Sequence, residues 1–263
     1  MPDSYSVITS QLQGGLGNQM FQIAAATALG HRHGVETVFN FKNHYLPLQG
    51  RKAKNYQNSV FSRLKIDDEL IVSNVYREVG HSFSDISYTS GSLCLLGYFQ
   101  SEKYFLNFSK QIRELFSCTA EIESYLNKKY NSIFEKKTTS IHIRRGDYLK
   151  FSDVHPSCGK EYYTKAMEIA DADLYVIFSD DPLWCSDNFK GSKFLVVDGE
   201  EDYTDMYLMS KCNNNIIANS SFSWWSAWLN NNENKVVIAP KKWFGDRGPQ
   251  DYHDIVPSDW ERI

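Results

Sequence analysis

From residue 139 to residue 239 the chain alternates short apolar runs with helical patterns, and no other feature constrains its fold as tightly. The spacing predicts strands over 139–144, 174–178, 193–197, 215–218 and 235–239. It predicts helices over 161–170, after Asp181-Pro182, over 204–211 and over 222–229. Asp181 as a cap with Pro182 at the first helical position is a start signal. Strands separated by helices pair in parallel, because the crossover is too long for a hairpin. Such sheets bind ligands beyond the carboxyl ends of their strands. Polar residues do collect at that edge: Arg145 and Asp147 after the first strand, Ser179-Asp180-Asp181 after the second, Asp198 after the third. Asn219-Ser220-Ser221 follows the fourth and Lys241-Lys242 the fifth. Asp171-Ala172-Asp173 spells a metal-binding D-x-D but precedes its strand, so it reads as a helix-to-strand turn on the opposite edge.

The first of these strands runs Ser140-Ile141-His142-Ile143-Arg144-Arg145-Gly146-Asp147-Tyr148. Alternation puts Ile141 and Ile143 on one face and His142 and Arg144 on the other. Two adjacent guanidinium groups repel unless an anion sits between them, and the Arg fork suits phosphate. The stretch reads as a diphosphate site or as a solvated strand end. A second anion feature begins at Asn219. Ser220 and Ser221 fall at a helix start, offering hydroxyls and backbone N–H groups to an oxyanion, unless they are an ordinary N-cap. Trp224, Trp225 and Trp228 share a helical face and read as packing. Both anion features lie on one edge of one sheet.

The first half is less regular. A strand over 7–12 leads into Gln13-Gly14-Gly15-Leu16-Gly17-Asn18-Gln19, then a helix to His33 with Gly34 as its stop. This is a ligand-cradling or simply a tight turn. It is neither a phosphate loop with Lys-Ser/Thr nor a dinucleotide fingerprint, since Met20 stands where the last glycine belongs. Strands are expected over 35–41 and 93–97, and a helix from a Ser101 cap to about 116. A charged helix over 121–135 leads to Lys136-Lys137-Thr138, a candidate junction. Two domains follow, 1–136 and 137–263. The region 42–92 shows no pattern.

At 42% hydrophobic and 23% charged the chain is globular rather than disordered, and a net charge of -4 argues against nucleic-acid binding by bulk electrostatics. Its five cysteines are scattered, with no C-x-x-C pair, which fits free thiols in a reducing compartment. No signal-peptide pattern and no membrane-spanning run is present. The expectation is a cytoplasmic protein, of bacterial or viral type, without stable membrane insertion.

Five motifs in order carry a resemblance: Gly14–Gln22, Gly97–Phe105, His142–Tyr148, Phe178–Asp181 and Ala218–Trp225. Over nearly its whole length the chain resembles the α-1,2-fucosyltransferases of glycosyltransferase family 11. The resemblance implies an α/β, GT-B-like architecture, two Rossmann-like domains facing across a cleft. It implies an inverting, metal-independent transfer of L-fucose from GDP-β-L-fucose to the 2-hydroxyl of a β-galactoside in a glycan. The N-terminal domain would be the acceptor side, with acceptor contacts from 42–100. Arg144 would bind the β-phosphate, His142 would lie near the guanosine, and Ser220, Ser221 and Phe222 would bind phosphate, with Arg145 beside them. Asp205 would read guanine, accepting from N1–H and the exocyclic amine, or be a first-turn helix carboxylate. Gly15, Gly17 and Asn18 would meet the donor. Asp147 ranks first as base, or it orients the arginines; Asp153 and His155 lie on the loop beyond. Another GDP-sugar or linkage, or an inactive sugar- or nucleotide-binding homologue, stays open. No cofactor is expected. Transfer should proceed in full in excess EDTA, and activity abolished by EDTA and restored by Mn2+ would contradict this.

Overall fold

The computed structural model describes residues 6–42 and 50–263, so residues 43–49 of the patternless region lie outside the described residues. The chain forms two units. One runs to Ser117 and takes in Asp251–Pro257; the other holds Cys118–Gln250 and Ser258–Ile263.

The first unit contains β1 (Val7–Ser10), α1 (Leu16–His33), β2 (Glu36–Thr37), β3 (Val75–Arg77), β4 (Leu93–Leu96) and α2 (Ser109–Leu115). Its sheet is parallel, in the order β2-β1-β4-β3. Helix α1 is buried from Leu16 through Gly30, save Asn18 at its start, because Ala24, Ala25, Ala26 and Ala28 let it lie close on its neighbours. Gly34 ends it at φ 66°, as a left-handed C-terminal stop. The strand expected over 35–41 pairs only at Glu36–Thr37, with a further bridge from Phe39 to Ile66. Ser101 accepts a cap bond from the Lys103 amide, but only a 3-10 turn follows. The α-helix starts at Ser109, because Phe105 leaves helical geometry (φ −133°) with its side chain fully buried.

The second unit contains α3 (Ala120–Tyr130), β5 (Thr138–Ile143), α4 (Lys160–Ile169), β6 (Leu174–Ser179), α5 (Pro182–Asn188), β7 (Phe194–Val196), α6 (Asp202–Ser210), β8 (Asn214–Ile216), α7 (Ser221–Leu229), β9 (Val237–Ala239) and β10 (Glu261–Arg262). The division at 117/118 precedes the junction expected at 136/137. Helix α3 belongs to the second unit, since Tyr125 and Tyr130 donate to Glu200 at 3.0 and 2.6 Å, and Lys211 pairs with Glu123 at 2.9 Å. Residues 251–257 return to the first unit. There Asp251 accepts from the His81 amide at 2.8 Å and Asp254 from that of Phe83 at 3.0 Å.

The six strands of this second unit pair in parallel in the order β10-β9-β8-β5-β6-β7. The chain starts in the middle at β5, builds outward through β6 and β7, then returns to lay β8 on the other side of β5. The order reverses between β5 and β8, and that switch point is where a parallel sheet opens a crevice at its carboxyl edge. Asp171-Ala172-Asp173 lies at the other edge, where Asp173 accepts the Lys137 amide at 3.1 Å. One core lies between α4, α5 and the face of the sheet bearing Ile141, Ile143 and Ile177. On α7, Trp224 and Trp225 are fully buried and Trp228 nearly so, which makes them packing.

Asparagines fix β8 beside β5. Asn215, with no exposed surface, donates to Ser140 Oγ at 2.7 Å and the Met209 carbonyl at 2.9 Å, and accepts from Asn230 at 2.8 Å. Removing it leaves three buried polar groups short of a partner. Asn215→Ala should lower the unfolding free energy by roughly 2–3 kcal/mol, read from urea denaturation.

Candidate functional site: the carboxyl edge at the β5–β8 switch point

Strand β5 delivers its last residues to this edge. His142 is buried and its ring lies 5.4 Å from that of Phe222, in the first turn of α7. The two anion features of the sequence are therefore neighbours in space. Tyr148 strengthens the link, donating its hydroxyl at 2.9 Å to the carbonyl of Asn219, the residue before Ser220. Asn219 itself is buried and donates to the Trp243 carbonyl at 2.8 Å.

The arginine pair is neutralised from within. Arg144 Nη2 meets Asp147 Oδ1 at 2.8 Å and its Nη1 meets Asp180 Oδ2 at 3.2 Å, while its Cζ stands 5.5 Å from the Tyr148 ring. Arg145 turns elsewhere: its Nε meets Asp181 Oδ2 at 3.1 Å and its Cζ stacks 3.9 Å from the Trp184 ring. The anion expected beside the guanidiniums is thus supplied by the chain itself, as three carboxylates. Arg145 braces β5 against α5, where Asp181 also caps the Trp184 amide as expected. Arg144, 35% exposed against 21% for Arg145, is the guanidinium presented outward. Gly146 is required here, because a Cβ on it would come within 2.6 Å of Asp180 Oδ2. The pair holds Asp147 against Arg144, the orienting arrangement expected as the alternative to a base.

Ser220 opens α7 in an extended conformation and makes no side-chain cap bond, so its hydroxyl is not spent on the helix. The amides of the first turn carry the positive end of the helix dipole. Burial, helped by the Arg144 charge, pulls the His142 imidazole down to about 3, so it stays neutral. Its buried Nδ1 has no hydrogen-bond partner among the described residues.

With this geometry in view, known proteins similar to the chain are informative. The family model for glycosyl transferase family 11 matches residues 1–263. The chain belongs to glycosyl transferase family 11. It is 33% identical to an α-1,2-colitosyltransferase of Escherichia coli, over 98% of this chain and 99% of that one. It is 32% identical to the O-antigen biosynthesis glycosyltransferase WbnK of Escherichia coli, over 89% and 94%. The solved fucosyltransferase NodZ from Bradyrhizobium superposes with a TM-score of 0.57 at 13% identity, over 85% of this chain and 92% of that one. The fold is GT-B-like, an α/β architecture with two parallel-sheet units.

Two further features of this family 11 glycosyltransferase stand out. Asp205 lies in the first turn of α6, which packs on α7. Its Oδ1 is buried without a hydrogen-bond partner among the described residues. A helix N-terminus should favour the charged form, by about 0.3–1 kcal/mol. Burial opposes it, joined by Glu200, Asp202 and Asp198, and wins: the carboxyl is pushed up to about 7.

In the first unit, Gly14 (φ 77°) and Gly15 form the turn before α1, and Gly17 and Asn18 lie in its first turn. The turn is braced by Gln19, which donates to the carbonyls of Gly14 and Arg51, both at 2.8 Å. Gln100 donates to Asn18 Oδ1 at 2.7 Å. Two of the sequence motifs thus meet. A Cβ on Gly15 would touch nothing among the described residues. Sequence patterning misses Glu78, whose carboxylate accepts the amides of Tyr98 and Phe99 and holds Phe99 at φ 51°. It sits in the patternless stretch, and only the spatial pairing reveals it. Asp180 and Trp184 carry no sign in the sequence that they are the counterparts of the arginines.

The Asp205 shift has a stability consequence. A carboxyl near 3.9 unfolded and about 7 folded makes the native state bind more protons between those values, so its contribution falls as pH rises across that window. Asp205→Asn should remove this loss and gain stability over the parent from about pH 5 upward, levelling near pH 7, in urea titrations at stepped pH.

Proposed function

We propose that this family 11 glycosyltransferase moves L-fucose from GDP-β-L-fucose to the 2-hydroxyl of a β-galactoside, with inversion and without a metal. The observation that carries the reading is that the Arg144 turn and the Ser220–Ser221 helix start adjoin at one switch point, linked by Tyr148, whose ring lies against the Arg144 guanidinium and whose hydroxyl donates to the Asn219 carbonyl. NodZ, whose fold this chain resembles, is an α-1,6-fucosyltransferase crystallised in one case with GDP-fucose soaked in (TM-score 0.54, 14% identity). In the proposed complex the diphosphate lies between the Arg144 guanidinium and the helix start, which offers the Ser220 and Ser221 hydroxyls and the amides of Ser221 and Phe222. His142, uncharged, lies beside the nucleoside with Nδ1 able to bond it, and Asp205 accepts guanine N1–H and the exocyclic amine.

The acceptor oxygen attacks the anomeric carbon in line as the bond to the β-phosphate oxygen breaks. Charge grows on that oxygen, and a guanidinium fixed by Asp147 and Asp180 stabilises it more in the transition state than before. The charge is met by an oriented cation, so no metal is needed to meet it.

The 33% identity to a colitosyltransferase favours one second reading, a GDP-colitose donor. Colitose is L-fucose without its 3-hydroxyl, and a site built to bond that hydroxyl would reject the deoxy sugar strongly. A panel of GDP-sugars with β-galactoside acceptors, scoring rate and product linkage, decides between them. Arg144→Ala should lose on the order of 10²–10³ in kcat while remaining folded by circular dichroism. Near-normal turnover in that variant would remove the assignment.

A further inference from the structure

The loop beyond Asp147 carries an imidazole that none of these roles uses. His155 stacks on Tyr148, ring centroids 5.0 Å apart at 21°, and its other neighbour is Phe244 at 5.6 Å. Tyr148 is the same ring that Arg144 overlies. One aromatic ring therefore separates His155 from the guanidinium proposed to hold the leaving group. The backbone fixes this placement: the His155 amide donates to the Phe151 carbonyl at 2.8 Å. Its ring makes no hydrogen bond among the described residues, and it is half-buried rather than sealed off.

The acids nearby are committed. Asp147 and Asp180 hold Arg144, and Asp181 holds Arg145 and caps α5. Asp153 is largely exposed and faces Arg247, at 3.8 Å. Partial burial and the Arg144 charge depress the His155 imidazole against the opposing pull of Asp147, so at neutral pH it is an unprotonated acceptor. Those two charges and the Tyr148 phenol are the ionisable groups around it; Phe244, from the segment after β9, is not titratable.

We propose that His155 is the general base of the transfer, taking the proton of the acceptor hydroxyl. The inference rests on the donor reading above. As the acceptor oxygen forms its bond to the anomeric carbon, its proton passes to an imidazole nitrogen of His155. The electron pair of the breaking glycosyl bond leaves with the β-phosphate oxygen of GDP. The imidazolium then returns its proton to solvent through the exposed part of its ring.

The test uses the full chain with GDP-fucose and a β-galactoside, and measures GDP binding by calorimetry alongside kinetics. His155→Phe keeps an aromatic ring against Tyr148 but cannot take a proton; His155→Gln keeps polarity and loses the stack. Both should bind GDP like the parent and lose on the order of 10²–10⁴ in kcat. The acidic limb of the parent's kcat profile should vanish from their residual activity. Near-parental kcat in His155→Phe would overturn the proposal and leave a stacking role. A change confined to KM, or a residual rate that keeps the acidic limb, would overturn it too. A parent chain that binds no GDP would overturn the donor reading and this inference with it. A parent that binds GDP and variants that still turn over isolate the failure to His155.

Discussion

The guanidinium of Arg144 sits between two carboxylates, Asp147 at 2.8 Å and Asp180 at 3.2 Å, and the edge of the second sheet is arranged around that grip. Asp147 comes from the turn after β5 and Asp180 from the end of β6, so the contact also ties neighbouring strands. Counted as charges, two guanidiniums face three carboxylates there. A diphosphate is not drawn in by net positive field; it would be held by donors already aimed, which is the arrangement that needs little reorganisation as charge develops. Gly146 makes the grip possible by leaving room for Asp180.

The ion pairs work only because parallel topology puts them beside α7. Strand β8 reaches β5 after β6, β7 and their helices have intervened, and buried Asn215 fastens it there through Ser140. Tyr148 then spans from the arginine turn to the carbonyl of Asn219. Packing, polar satisfaction and site geometry share residues, so damage to the asparagine network should be felt at the helix start as well as in stability.

Electrostatics divides the labour among groups that look alike in sequence. His142 and His155 flank the arginine pair along the chain, yet the first is sealed and fixed as neutral while the second keeps a partly open ring. Arg144 and Arg145 are adjacent, yet one faces outward and the other is stacked on Trp184. Asp205 and Asp181 both occupy helix starts; Asp181 caps its helix, and Asp205 keeps a buried oxygen without a hydrogen bond among the described residues.

Much of this is legible in the amino-acid sequence. The 3.6 and 2 periodicities locate every strand and helix of the second sheet except the two-residue β10, because those elements bury one face against a shared core. Alternation also puts His142 and Arg144 on one face, and helix-start chemistry marks Ser220 and Ser221. The illegible parts lie where local pattern is weak: β3 and Glu78 in an irregular stretch, the break at Phe105, and the allegiance of α3, which its contacts to Glu200 settle. Element order, family membership and the candidate anion-binding residues come from the sequence alone, since they follow from periodicity and motif spacing. The strand order that brings β5 beside β8, the pairing of each carboxylate with its arginine and the raised pKa of Asp205 come from the tertiary structure. Those depend on contacts between residues tens of positions apart, and no local pattern encodes them.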